Sequence, residues 1–173
     1  MRAIANILIQ KGYDVSGSDI AESAVISKFR DMGATVHIGH NKEYVNGVDA
    51  IVRSTAIRED NPEIVAAKEQ GITILHRSDI VKAVLDVTDG IAVAGAHGKT
   101  STTSMIGQIL VEANADPTVI IGGEVDYLKG SSCLGKGHFS VVEADESDGS
   151  FLKLHPHTIV ITNIEDDHMD HYK

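Results

Sequence analysis

The chain has 173 residues, with 15 Lys or Arg against 25 Asp or Glu, so its formal net charge is −10. This acidity argues against a nucleic-acid partner, which needs clustered basic residues, and the single cysteine, Cys133, excludes an internal disulfide and a four-cysteine zinc site. Because 42% of the residues are hydrophobic and no apolar run approaches the ~18 residues of a membrane span, we expect a soluble globular protein without a membrane span. The single cysteine favours a reducing, cytoplasmic compartment.

Strand and helix patterns alternate along the first half of the chain. In chain order, the predicted elements are a helix from about Ile4, a strand at 13–16, a helix at 23–32, strands at 35–38 and 48–52, a helix opened by Asn61-Pro62-Glu63, a strand at 72–75, and a helix that Ser78 caps and that runs toward Leu85. Short apolar strands that alternate with helices are typical of parallel βαβ units. We therefore predict an α/β fold with a parallel sheet.

The alternation starts again after a predicted linker at 86–90. The elements that follow are a strand at 91–94, a helix from Lys99 to about Glu112, and strands at 118–121, 139–142 and 158–162. We place a domain boundary near residue 88, which gives domains at 1–88 and 89–173. The first domain opens directly on a helix and the second stops before its sheet is closed, so we expect both to be partial.

A glycine-rich loop, Gly95-Ala96-His97-Gly98-Lys99-Thr100, lies between an apolar strand and a helix. Glycines let the backbone approach a phosphate, and the N–H groups at a helix N-terminus point at the anion. The lysine ammonium would reach the β- and γ-phosphates, and the threonine hydroxyl can bind Mg²⁺. The usual pattern has a glycine where Val93 stands, so this is a shorter variant. A turn that binds nothing is the alternative, which the Gly-Lys-Thr triplet in this context disfavours.

Acidic and polar residues follow two of the later strands. An acidic run at 143–148, which begins with Glu143, lies at the carboxyl end of a strand, and a carboxylate there could complete a Mg²⁺ site with Thr100. The alternative is a solvated acidic loop, which the phosphate loop makes the weaker interpretation. A second polar run at 163–171 contains Asp and His residues, the kind of side chains that bind zinc in hydrolases. The ligands of a zinc hydrolase would be split between the two ends of a strand, which argues against that function.

Five segments together resemble the Mur ligase family. They are Gly17-Ser18-Asp19, Ser54-Thr55-Ala56-Ile57 with Asp60-Asn61-Pro62-Glu63, Gly95–Thr100, residues 143–151 (EADESDGSF) and residues 162–172 (TNIEDDHMDHY). They occur in the family's order and span essentially the whole chain, and the last two are typical of the branch that adds L-alanine. The resemblance implies a Rossmann-like UDP-sugar-binding domain without its first strand, followed by part of a P-loop ATP-binding α/β domain.

The same resemblance implies an ATP-dependent ligase that joins L-alanine to the lactyl carboxylate of UDP-N-acetylmuramate through an acyl phosphate, with Mg²⁺ as cofactor. It identifies no protein partner, and we expect the chain alone to be inactive. The implied catalytic residues are Lys99, Glu143 and His168. The implied Mg²⁺ ligands are Thr100, Glu143 and His168. The implied ATP-binding residues are Gly95, Ala96, His97, Gly98, Lys99, Thr100 and Ser101. The implied UDP-sugar residues are Asp19, Ser54 and Thr55.

Other functions stay open at this point. One is a module that binds ATP or a UDP-sugar without catalysis, and another is a Mur ligase with a different substrate. A P-loop kinase or GTPase would have its phosphate loop near the chain start and a base-recognition motif later, and neither is found. The role of His97 is undecided, and Ala96 stands where the family usually has threonine.

Overall fold

The computed structural model describes residues 1–166. The chain divides into two compact units by its internal contacts. The first unit comprises Met1 and Leu8–Arg77, and the second comprises Arg2–Ile7 and the chain from Ser78 onward. No helix in the described part of the chain is long and apolar enough to cross a membrane.

The helices and strands alternate as the sequence predicts. The helices are α1 (Arg2–Gln10), α2 (Ala24–Asp31), α3 (Pro62–Glu69), α4 (Arg77–Leu85) and α5 (Lys99–Glu112). The strands are β1 (Ser16–Asp19), β2 (Thr35–Ile38), β3 (Ala50–Arg53), β4 (Thr73–His76), β5 (Asp89–Ala94), β6 (Thr118–Val125), β7 (Gly130–Cys133), β8 (Phe139–Glu143) and β9 (Thr158–Ile161). Short 3-10 helices lie at Lys42–Val45, Asp126–Leu128 and Ser150–Lys153.

The first unit contains two parallel strand pairs, β1 with β2 and β3 with β4. Its helices begin at polar caps. The Ser23 hydroxyl accepts the N–H of Ile26 at the start of α2, and the Asn61 side chain accepts the N–H of Glu63 at the start of α3. Pro62 occupies the first turn of α3, where its missing N–H removes no helical bond.

The second unit contains a five-stranded sheet in the order β7-β6-β8-β5-β9. Its neighbours are parallel except for β6 and β7, which are antiparallel. Val93 of β5 and Val141 and Val142 of β8 are fully buried, as expected of central strands covered on both faces. The register pairs Val93 with Glu143 and Ala94 with Ile161, so the carboxyl ends of β5, β8 and β9 meet at one edge. The predicted parallel-sheet α/β architecture is confirmed.

Three local predictions are wrong. The first strand begins at Ser16, so residues 13–15 of the predicted strand lie outside it. Ser78 does not cap α4, because the helix already begins at Arg77 and Ser78 is buried in its first turn.

The predicted linker at 86–90 ends early, because Asp89 and Gly90 belong to β5. There the Asp89 N–H donates to the His138 carbonyl at 2.7 Å. A side chain at Gly90 would require Leu85 to shift, since an added Cβ would lie 2.4 Å from Cδ2 of that residue.

Candidate functional site

The loop between β5 and α5 depends on two glycines with left-handed backbone angles. Gly95 has φ 131° and Gly98 has φ 84°. An added Cβ on Gly95 would lie 2.2 Å from Oγ1 of Thr162, so a larger residue would have to displace Thr162. Gly98 is the N-cap of α5 and offers no side-chain bond to the first turn. The N–H groups that begin this 14-residue helix therefore remain available to an anion.

The two residues that follow β9 hold this loop in shape. The Thr162 hydroxyl donates to the His97 carbonyl at 2.6 Å, and Asn163 Nδ2 donates to the same carbonyl at 2.8 Å. The His97 N–H in turn donates to Asn163 Oδ1 at 2.9 Å. The sequence indicates a polar run after this strand and a family motif at 162–172, but nothing in either predicts that Thr162 and Asn163 hold the loop.

Lys99 folds back over the loop that precedes it. Its Nζ donates to the Gly95 carbonyl at 2.6 Å, to the Ala96 carbonyl at 3.2 Å and to Glu146 Oε1 at 2.7 Å. The side chains of Lys99 and Glu146 are 18% and 17% exposed, so the ion pair is largely shielded from water. Sequence reasoning placed Glu146 in an acidic run but did not pair it with the lysine.

Thr100 and Glu143 lie in direct contact. The Thr100 hydroxyl donates to Glu143 Oε1 at 2.7 Å, and the N–H of Gly122 in β6 donates to Glu143 Oε2. An added Cβ on Gly122 would lie 2.9 Å from Glu143 Oε2, and one on Gly123 would lie 3.3 Å from Cγ2 of Thr100. Glycines inside a strand often mark such a close approach, which is the signal that this part of the site offered.

The side chains of Thr100 and Glu143 together fit a Mg²⁺ ion. A hydroxyl and a carboxylate supply the hard oxygen ligands that this ion prefers. His168, the third residue that the resemblance implies, lies outside the described residues, as do Asp167 and His171. Within residues 1–166, no group of three or more His, Cys, Asp or Glu side chains could hold a metal ion.

The remaining loop residues are more open to solvent. His97 is exposed, and its Nδ1 lies 3.4 Å from Glu165 Oε2. Ser101 is exposed in the first turn of α5.

His155 and His157 lie before β9, at the other end of that strand from the phosphate loop. His155 Nδ1 lies 3.6 Å from Asp86 Oδ1, and His157 Nε2 lies 3.9 Å from Asp89 Oδ1.

The three predicted UDP-sugar residues all lie at carboxyl ends of strands in the first unit. Asp19 is the last residue of β1 and is exposed. Ser54 and Thr55 follow β3, where the Ser54 carbonyl accepts the Ile57 N–H at 3.1 Å and so closes a turn. In open parallel sheets, ligands bind at this edge.

A polar cluster that sequence reasoning missed begins one residue before Asp19. The Ser18 hydroxyl lies 2.9 Å from Nδ1 of His40, and the same nitrogen lies 3.2 Å from Oε1 of Glu63. Glu63 also accepts the Asn41 N–H at 3.4 Å. The cluster connects the end of β1, the residues after β2 and the start of α3. Its members are far apart in sequence, so no local pattern could have shown it.

Comparison with known proteins gives one consistent family. Residues 1–87 match the family described as "Mur ligase family, catalytic domain", and residues 93–173 match "Mur ligase middle domain". A UDP-N-acetylmuramate–L-alanine ligase of Desulfatibacillum aliphaticivorans is 47% identical over 173 residues, which is 100% of this chain and 38% of that protein. The enzyme of the same name from Dictyoglomus turgidum is 50% identical, over 100% of this chain and 37% of its own length.

Solved structures show the same likeness. A UDP-N-acetylmuramate–alanine ligase from Thermotoga maritima superposes with a TM-score of 0.92 at 33% identity, covering 99% of this chain and 40% of that one. A UDP-N-acetylmuramate:L-alanyl-γ-D-glutamyl-meso-diaminopimelate ligase from Neisseria meningitides gives a TM-score of 0.88 at 26% identity, covering 100% and 60%. The chain thus spans less than two fifths of the length of the curated relatives it matches. By the sequence of residues 1–87 and 93–173, and by the fold of its described residues, the chain belongs to the Mur ligase family.

Proposed function

We propose that this chain supplies the UDP-sugar site and the ATP-phosphate site of a cytoplasmic ligase that joins L-alanine to the lactyl carboxylate of UDP-N-acetylmuramate. The contact of Thr100 with Glu143, beside a glycine loop covered by Lys99, is the observation that carries the proposal. Relatives at 47% and 50% identity over the whole chain bear the name of this activity.

The chemical problem of such a ligase is to bring two anions together. The lactyl carboxylate attacks the γ-phosphorus of ATP, giving an acyl phosphate and ADP, and the amine of L-alanine then displaces the phosphate. The Lys99 ammonium offsets the repulsion between carboxylate and triphosphate, and the N–H groups that begin α5 bind phosphate oxygens. The protein's part in phosphoryl transfer is mainly positioning and charge stabilisation, which suits a loop held by Thr162 and Asn163.

Thr100 Oγ1 and Glu143 Oε1 are the atoms that would hold Mg²⁺, with His168 added by the family resemblance. When bound, the ion supplies positive charge to the β- and γ-phosphates. Glu143 is oriented for this task because the Gly122 N–H holds its second carboxylate oxygen. Thr100 is oriented because it lies in the first turn of α5, one residue after Lys99.

In the first unit we assign the UDP-sugar to the carboxyl ends of β1 and β3. The Asp19 carboxylate would accept a hydrogen bond from a ribose hydroxyl, as acidic residues at this position of Rossmann-like folds do. Ser54 and Thr55 would supply hydroxyl groups to the same ligand. Asp19 and Thr55 are exposed and Ser54 is half-buried at the ends of these strands, which leaves them accessible to it.

Lys99→Ala tests the proposal in a full-length ligase that carries these 173 residues. UDP-N-acetylmuramate-dependent ADP release should fall at least ~100-fold, because the charge that stabilises the transferring phosphoryl group is removed. Binding of UDP-N-acetylmuramate, measured by calorimetry, should stay within about twofold, since Lys99 lies in the other unit.

Lys11→Ala is the matched control, because Lys11 is exposed and lies outside both proposed sites. It removes the same charge and should leave ADP release unchanged. Survival of ADP release in Lys99→Ala would show that the loop has been assigned wrongly. Because the Neisseria meningitides ligase is also similar, the assay should offer both L-alanine and the tripeptide of that enzyme's name, and we expect L-alanine to be joined.

A further inference from the structure

The hydrogen-bonding capacity of the Lys99 ammonium is fully used by the protein itself. An ammonium has three N–H donors, and Nζ has three acceptors: the carbonyls of Gly95 and Ala96 and the carboxylate of Glu146. A phosphate oxygen can therefore bond to this group only when one of the three acceptors leaves. Which acceptor leaves determines how the loop receives a phosphate.

The two carbonyls are poorly placed to leave. Both belong to the loop, and the loop is held by the bonds from Thr162 and Asn163 to the backbone of His97. Both are also neutral, so an approaching phosphate repels them weakly. Moving either one would change the backbone that wraps the anion.

Glu146 differs on each of these points. It lies three residues beyond the end of β8, on a segment separate from the loop. It carries a negative charge, and water screens its pair with Lys99 little because both side chains are more than four-fifths buried. A polyphosphate that enters the loop is repelled by this carboxylate and attracted by the lysine it covers.

From this geometry we propose that Glu146 is a built-in competitor for the phosphate: its carboxylate occupies Lys99 and must be displaced when a polyphosphate binds. The proposal rests on the proposed ATP site. Glu146 is a positioning residue, which acts through Lys99 and sets the affinity of the loop. Glu143, three residues earlier, has the opposite role and stays in place, because Thr100 and Gly122 hold both of its oxygens.

The test is nucleotide affinity of the 173-residue chain and its Glu146→Gln variant, titrated calorimetrically with ADP and with inorganic triphosphate in the presence of Mg²⁺. The variant keeps the shape of the side chain and removes its charge. Both ligands should bind about fivefold more tightly to it, the change expected from one removed ion pair. Damage to the fold would weaken binding, so an increase in affinity cannot come from a structural role.

Two further variants sharpen the test. Glu112→Gln removes the same charge at the far end of α5, about 20 Å along the helix, and should bind both ligands as the unmodified chain does. Glu146→Ala should give the same tightening as Glu146→Gln, because the effect depends on the loss of charge and not on a glutamine hydrogen bond. Circular dichroism of each variant would verify that it is folded.

A second measurement tests the ion pair without a nucleotide. The rate at which acetic anhydride modifies Lys99, followed by mass spectrometry of the peptide that contains it, should rise in Glu146→Gln and not in Glu112→Gln. Equal affinity in the two chains, or weaker binding by Glu146→Gln, would overturn the competitor role alone. If neither chain binds ADP or triphosphate, the proposed ATP site is itself wrong and the competitor role fails with it.

Discussion

Single residues in the phosphate loop are constrained by space as much as by chemistry. Gly95 combines a φ of 131° with a neighbour, Thr162 Oγ1, only 2.2 Å from where a Cβ would be. Gly98 also has a left-handed φ, but the nearest atom to its Cβ position is 3.9 Å away. The sequence indicated that glycines were needed here. It could not show that one of them faces a steric barrier from a residue 67 positions later.

Gly95→Ala should therefore be more damaging than Gly98→Ala. Gly98→Ala incurs only the left-handed backbone cost, about 1–2 kcal/mol, whereas Gly95→Ala must also move Thr162 and the backbone of Asn163. Chemical denaturation should show a larger loss of unfolding free energy for Gly95→Ala, and ADP affinity should fall with it. Gly17→Ala is the control, because no atom lies within 4 Å of that Cβ position and its φ is not left-handed. Equal losses at the two loop glycines would contradict the steric argument.

The Lys99–Glu146 pair marks the limit of residue-by-residue prediction. The lysine was assigned from its place after a glycine, which is a local pattern. Its carboxylate partner lies 47 positions later on an irregular segment, where neither helical nor strand periodicity fixes the direction of a side chain. Glu146 can be identified as the partner of Lys99 only once the course of the segment after β8 is known.

At the scale of elements, prediction succeeds where a local signal is strong. The predicted helix at Lys99–Glu112 agrees with α5, because the glycine N-cap and the Gly-Lys-Thr triplet define its start. Strand β7, Gly130–Cys133, was not predicted, since the sequence Gly-Ser-Ser-Cys has no apolar alternation. That strand exists through its antiparallel pairing with β6, which is a property of the folded sheet.

The loop's shape depends on the residues that directly follow β9, and Thr162→Val tests this dependence. Valine keeps the shape of the side chain but loses the hydroxyl that donates to the His97 carbonyl. The free energy of unfolding should fall by about 1 kcal/mol, the usual net value of one hydrogen bond, and ADP affinity should fall several-fold because the loop is less ordered.

Thr158→Val, at the exposed start of the same strand, serves as the matched control and should change neither quantity. Unaltered ADP affinity in Thr162→Val would mean that the loop keeps its shape without the Thr162 hydroxyl. In that case the bonds from Asn163 alone would be sufficient to hold it.

At the scale of the whole molecule, each unit presents the carboxyl ends of parallel strands, and each carries one proposed ligand. Asp19 and the residues after β3 belong to the first unit, and the phosphate loop with Glu143 belongs to the second. Through its family resemblance, the sequence predicts the UDP-sugar site in the first unit and the ATP site in the second. It does not predict the polar cluster of Ser18, His40 and Glu63 in the first unit, because that cluster depends on contacts among three separate segments.

Hydrogen exchange of the 173-residue chain should separate the two ligands. ADP with Mg²⁺ should slow exchange at the amides of 95–101 and 122–123, because the loop and the residues around Glu143 close on the phosphates. UDP-N-acetylmuramate should slow exchange at 17–19 and 54–57 instead. Stabilisation by ligand is expected to reach about 2.7 kcal/mol at a hundredfold excess over Kd, so the effect is measurable even where affinity is modest. Protection of the first unit by ADP, with none at the loop, would contradict the assignment of the two sites.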